Sequence, residues 1–244
     1  MLCHEQNEYA PFFETVIRYL GGLLSAYALS KDPILLARAD DLGTALLPVF
    51  RTPSGLPFFS VNTENGNVDK TREGVAVFAE MLTCQLEYKY LSYLTGRKGY
   101  YDAVEQVMDV VYKTNVTSTG DLFPSRWSRQ SGLPLDRMSR TFSDLPARLL
   151  IQYLGWVSVA GCADSAYEYM LKQWLLTGRT DTKARDLCAL LPFFSRGVQL
   201  ISHRPPIDRC NPRSSHVPNS IPQPPLCYRC LCEFSRNFHP FPQT

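Results

Sequence analysis

The stretch Phe12–Ser30, FFETVIRYLGGLLSAYALS, decides the reading of this chain. It reads as an apolar helix that opens with an acid and a base four residues apart, Glu14 and Arg18. On a helix that spacing puts both side chains on one face. A carboxylate beside a base can act as a proton donor at a reacting oxygen. It can equally be an ordinary ion pair, since ion-pair networks also perturb acids. The residue types alone leave both open.

Outward from this helix, three segments look alike: AYALSKDPILLARADDLGTALL from Ala26, LSYLTGRKGYYDAVEQVMDVV from Leu91 and KQWLLTGRTDTKARDLCALL from Lys172. Each reads as a helix end, a short turn and a second helix. Gly96 and Gly178 supply left-handed caps, and Pro33 suits the first position of the next helix. Asp32 and Asp181 are the expected N-caps. The spacing predicts first helices over 11–30, 72–95 and 157–177, apolar nearly all round, as an inner ring would be. The second helices are more amphipathic, as an outer ring would be. Repeated αα-hairpins stack into solenoids or close into toroids. No stretch shows sustained strand alternation, so the fold class is all-α.

The acids then line up. Glu14 lies 15 residues before Leu29, Glu80 lies 14 before Leu94, and Asp164 lies 12 before Leu176. These offsets agree within one helical turn of about 3.6 residues, so equivalent helices would present acids at one end. Carboxylates also favour helix N-termini because the dipole stabilises them, which is the plainer explanation. Asp164 and Glu168 sit four apart, where like charges cost helix stability. Such a pair is tolerated where it binds a ligand, water or an ion, and also on a solvated face.

Composition bounds the rest. With 244 residues, 45% apolar and 20% charged, the chain is of globular type. A formal charge of +2 gives no reason to expect nucleic acid. No run of about 18 apolar residues suggests a membrane segment. The start, MLCHEQNEYAPFFE, lacks the basic and apolar regions of a signal peptide, so the expectation is a cytosolic protein or one whose true N-terminus lies elsewhere. Five of eight cysteines follow Asp186, against a disulfide framework across the fold. One sequon, Asn115-Val116-Thr117, is compatible with a secretory setting.

FETVIRYLGGLLSAYALS resembles the opening block of the class I α-1,2-mannosidases, glycoside hydrolase family 47. The resemblance runs through most of residues 11–187. TPSGLPFFSVN (Thr52–Asn62) is similar to the loop after the second helix. AEMLTCQLEYKYLSYLTG (Ala79–Gly96) resembles an AE-x-GT-x-QLEF block, and ADSAYEYMLKQWLLTG (Ala163–Gly178) resembles ADSYYEYLLKQWL. The resemblance implies αα-hairpin repeats forming part of an (α/α)7 barrel over residues 1–187. It implies Glu14 as general acid with Arg18 beside it, and Asp164 as a catalytic-site residue. Glu80 and Glu168 would join Arg18 in holding mannose hydroxyls. The implied reaction is the inverting, calcium-dependent trimming of α-1,2-linked mannose from high-mannose N-glycans in the endoplasmic reticulum or Golgi.

The departures are specific. Met81-Leu82 replaces small residues before Thr83, Cys84 replaces an apolar residue, and Cys162 stands where some members carry Arg. Residues 133–156 have no counterpart and read as an insertion. The family's earlier WD-x-LDTL block is missing, as are the later base Glu and the calcium-binding Thr. No base and no metal ligand are therefore assigned, and calcium is an expectation of the family alone. The chain is expected to turn over little or nothing. The alternative is a non-catalytic mannose-binding or helical-repeat interaction fragment.

Residues 188–244 carry many prolines, scattered cysteines and no helical period, so they read as an irregular tail, not a packed core. A frame change or a retained intron would produce such a tail. Cys227-x-x-Cys230-x-Cys232 with His239 offers one closely spaced ligand pair where a structural zinc site wants two.

Overall fold

The first hairpin is built on its turn. Lys31 takes the left-handed conformation at φ 59°. Asp32 Oδ1 accepts from the Ile34 amide at 3.0 Å, and Pro33 fills the first helical position, where its missing N–H loses no helix bond. The second turn uses Gly96 at φ 71° as its cap. These features come from a computed structural model of the chain, which describes residues 9–70, 74–116, 122–135, 157–159 and 161–189.

The elements run β1 (Tyr9–Pro11), α1 (Phe12–Thr15), a π-helical turn (Val16–Leu20), α2 (Gly21–Ser30) and α3 (Pro33–Leu46), then a 3-10 turn (Leu47–Phe50). They continue with β2 (Ser60–Asn62), β3 (Val75–Val77), α4 (Phe78–Leu82), α5 (Gln85–Thr95), α6 (Lys98–Tyr112), β4 (Arg126–Ser128), α7 (Asp164–Leu176) and α8 (Thr182–Ala189). α2 packs on α3 and α5 on α6, the first two of the three expected hairpins. No described helix is long and apolar enough to cross a membrane.

Phe12, Val16, Leu20, Leu24 and Ala28 are all buried, four residues apart. On a 3.6-residue helix each such step drifts about 40°. The wider π turn at Val16–Leu20 takes back part of that drift and keeps the stripe on one side. This first helix is not buried all round, contrary to the sequence expectation. Tyr19 is 58% exposed and Leu29 51%. Its buried stripe packs with Tyr88 and Leu91 of α5, with Ala39 and Leu46 of α3, and with Tyr100 and Val104 of α6. α6 is amphipathic as expected, burying Tyr100, Val104, Val107, Met108 and Val111.

Two expected helices start later than the spacing predicts. Residues 75–77 of the expected 72–95 helix form β3, which pairs antiparallel with β4 in the register Val75↔Ser128, Ala76↔Trp127, Val77↔Arg126. The helix proper begins at Phe78 and breaks at Thr83–Cys84. The third begins at Asp164, after Cys162 takes a left-handed φ of 74°. β1 pairs with β2, Ala10 opposite Val61. These strands have three residues each, too few for alternation to register in the sequence.

The chain divides into two compact units, residues 1–170 and 171–244. Within the second, Asp181 Oδ1 caps α8 by accepting from the Ala184 amide at 3.1 Å, and Gly178 is left-handed. Residues 136–156 of the expected insertion, 190–244 of the tail with its cysteine pattern, and Thr117 of the sequon lie outside the described residues.

Candidate functional site

Glu14 sits in α1 and Arg18 in the π turn that follows. Arg18 Nε donates to Glu14 Oε2 at 2.6 Å. The Glu14 side chain is 46% exposed and that of Arg18 66%. A pair this exposed contributes about 0–1 kcal/mol to stability. It orients the carboxylate more than it holds the fold. π turns inside helices occur frequently at functional sites.

Glu80 is the third residue of α4 and half-buried. It lines a small cavity with Phe12 and Phe13 of α1, Phe58 and Phe59 of the following loop, and Arg129 just after β4. The lining is therefore mostly apolar and aromatic, with Glu80 and Arg129 the charged residues among it. Beneath α4, Phe78 stacks on Phe123 at 5.1 Å and on Trp127 at 5.8 Å, and meets Tyr167 edge-on at 5.6 Å. Such pairs add about 0.5–1.5 kcal/mol each beyond burial, so α4 has a rigid floor.

The start of α7 is stitched to α4. The Ala79 amide donates to the Cys162 carbonyl at 2.9 Å, and Thr83 Oγ1 donates to Ser165 Oγ at 2.8 Å. Glu80 and Asp164 thus lie on helix starts that touch, and Phe12 and Phe13 bring the Glu14 helix to the same cavity. Asp164 and Glu168 are both exposed, one turn apart. Neither they nor Glu14 and Arg18 line the Glu80 cavity.

Two charged residues that the sequence reading passed over belong to this region. Glu87 Oε1 accepts from Tyr169 Oη at 2.7 Å, tying α5 to the helix of Asp164 and Glu168. A side chain on Gly21 would come within 3.6 Å of the same oxygen, so the first helix closes on it too. Burial, then the Glu87 carboxylate, pushes the Tyr169 phenol far above its ordinary value. The available signal was position: Glu87 follows Glu80 by seven residues, two helical turns. Arg129 gave no sequence signal. Burial also pushes the Cys84 thiol well up, whereas Cys162 is exposed.

Among the described residues, no group of three or more His, Cys, Asp or Glu side chains converges to hold a metal. These residues do not by themselves fit a calcium ion.

The family model described as glycosyl hydrolase family 47 matches residues 2–189. The chain is 38% identical over 172 residues to the endoplasmic reticulum mannosyl-oligosaccharide 1,2-alpha-mannosidase of Homo sapiens, covering 70% of this chain and 22% of that protein. It is 35% identical over 184 residues to mannosyl-oligosaccharide 1,2-alpha-mannosidase IB of Mus musculus, covering 74% and 26%. The alpha-1,2-mannosidase from Trichoderma reesei superposes with a TM-score of 0.62 at 26% identity, over 82% of this chain and 39% of that one. That structure is an (α/α)7 barrel, and the αα-hairpins described above form part of such a barrel. The chain spans about a quarter of the length of the curated relatives it matches.

Proposed function

The chain belongs to glycosyl hydrolase family 47, and on that premise we propose that its helix starts carry part of a glycosidase site for α-1,2-linked mannose. The substrate is the terminal mannose of a high-mannose N-glycan, and the setting is the secretory pathway. The observation that carries the reading is the meeting of three acid-bearing helix starts. Phe12 and Phe13, next to Glu14, share a cavity with Glu80, and the Ala79 amide binds the Cys162 carbonyl beside Asp164.

Glycoside hydrolysis needs an acid on the leaving oxygen and a second carboxylate. In inverting enzymes the two stand roughly 6.5–9.5 Å apart to admit water. Glu14 is the donor in this reading, directly or through a water, and Arg18 holds its carboxylate by the 2.6 Å contact. Asp164 orients the leaving group. Glu80 and Glu168, with Arg18, take mannose hydroxyls. No described residue is assigned as the base.

The test is mannose release from an α-1,2-linked mannose oligosaccharide by the purified chain, with calcium and with chelator. Calcium-dependent release that disappears in Glu14→Gln supports the catalytic reading. Mannoside binding without release favours the non-catalytic alternative. Release that survives in Glu14→Gln removes Glu14 from the donor role.

A further inference from the structure

Thr83 caps the C-terminal end of α4 and is only 2% exposed. Valine has nearly the same shape and would fill such a place with no polar atom to satisfy, whereas a buried hydroxyl is costly without a partner. The partner lies across 82 residues: Thr83 Oγ1 donates to Ser165 Oγ at 2.8 Å. Ser165 directly follows Asp164. A second contact runs beside the first. The Ala79 amide is one of the N-terminal amides of α4 that no helix bond takes up, and it donates to the Cys162 carbonyl at 2.9 Å. Cys162 holds a left-handed φ of 74°, uncommon for a residue with a side chain. The turn into α7 therefore depends on this contact and not on the freedom of a glycine.

The two contacts bracket both acids. On α4 they fall at Ala79 and Thr83, on either side of Glu80. At the start of α7 they fall at Cys162 and Ser165, on either side of Asp164. Two points fix both a spacing and a direction, where one would leave a pivot. The Ala79 contact is made by main chain alone, so it survives most changes of residue. The Thr83 contact is made by two hydroxyls, so it is the one that the sequence controls.

We propose that Thr83 is a positioning residue: through Ser165 it holds Asp164 at a fixed place relative to Glu80. The grip of these two acids on a mannoside rests on the reading above; the dependence of that grip on Thr83 goes beyond it. A binding constellation works when it is held to within about 0.5 Å. One pivoting helix start is enough to lose that precision, because Asp164 serves the leaving group and Glu80 a hydroxyl of the same substrate.

The experiment measures the dissociation constant of α-1,2-mannobiose for the full chain by calorimetric titration, beside the melting midpoint. The variants are Thr83→Val, Thr83→Ser, Ser165→Ala and the double variant of Thr83→Val with Ser165→Ala. Thr83→Val and Ser165→Ala should each weaken binding roughly two- to tenfold, the span of one hydrogen bond. Thr83→Ser keeps the hydroxyl and should bind as wild type does. The double variant should bind no worse than the weaker single one, because both changes remove the same contact. A hydroxyl with a structural role alone would lower the melting midpoint and leave the dissociation constant unchanged. That result overturns the proposal while the sugar-site reading stands. A double variant whose loss equals the sum of the two also overturns it, since the hydroxyls would then act separately. If the wild-type chain binds no mannobiose, both readings fall. Should Thr83→Val fail to fold, Ser165→Ala, at the half-buried end of the contact, decides: weakened binding upholds the proposal and unchanged binding overturns it.

Discussion

Replacing Tyr169 by Phe tests whether the helix of Asp164 and Glu168 is held to α5 by one polar contact. The ring is 9% exposed, and Phe keeps nearly all of its apolar burial. What disappears is the 2.7 Å hydrogen bond to Glu87 Oε1. Hydrogen bonds to charged groups contribute about 1.5–3 kcal/mol. Glu87 Oε2 is itself buried, so the loss is set at the whole of that range, about 1.5–3 kcal/mol. For a chain of this length each kcal/mol moves the melting midpoint about 2–4 °C, so Y169F should melt roughly 3–12 °C lower. The assay is thermal and urea unfolding followed by circular dichroism. Y19F is the control, because Tyr19 is 58% exposed and such surface changes stay within about 0.5 kcal/mol. E87Q keeps an acceptor but not the charge, so it should lose less than Y169F. The double variant should lose less than the sum, since residues in contact couple. Y169F melting with Y19F would refute the tie between the two helices.

Gly43→Ala should destabilise the first hairpin, because the added carbon would collide with Leu91 Cδ2. Overpacking costs about 1–3 kcal/mol, offset by about 1 kcal/mol of helix propensity, so urea unfolding should show a net loss of about 0–2 kcal/mol, and a clear gain would contradict the packing of α3 on α5. The phenols of Tyr88, Tyr100, Tyr167 and Tyr169 are all raised by burial. The unfolded chain therefore loses these protons first, and stability present below about pH 10 should fall as pH rises further; a flat urea midpoint across that range would count against it. Among the described cysteines, Cys162 is exposed whereas Cys84 and Cys188 are buried, with burial pushing the Cys188 thiol up to about 11. A thiol reagent should label Cys162 in the native chain and the other two only after unfolding, as peptide mass mapping would show.

What was legible in the sequence is what local chemistry fixes. Asp32, Pro33, Gly96 and Asp181 each do the cap or turn work their side chains suit, within a few residues of their own position. The amphipathic stripe of α6 is equally local. The start of α7 was hidden because its left-handed residue is Cys162 and not the glycine that such a conformation favours. The start of α4 was hidden because Val75-Ala76-Val77 suits a buried helix turn as well as a strand. Only pairing with Arg126–Ser128, some fifty residues away, decides it. The same distance separates the legible from the illegible in the site. Glu14 and Arg18 are four apart, so spacing alone predicted their contact. Tyr169 reaches Glu87 across 82 residues, and Arg129 reaches Pro57 across 72. No periodicity carries such partners.

The π turn connects the core to the site. Glu14 and Arg18 each stand two residues after a member of the buried stripe, Phe12 and Val16, so about 200° round the helix. The stripe needs close to four residues per turn to keep Phe12, Val16, Leu20, Leu24 and Ala28 buried together. That same widening keeps residues four apart in line on the opposite face, where the 2.6 Å pair forms. The exposed pair adds too little energy to dictate the helix geometry, whereas five buried side chains, at about 1.5–3 kcal/mol for each large one, add enough. The direction of cause therefore runs from packing to chemistry. The core sets the width of the turn, and the turn places the carboxylate and its guanidinium side by side, facing solvent.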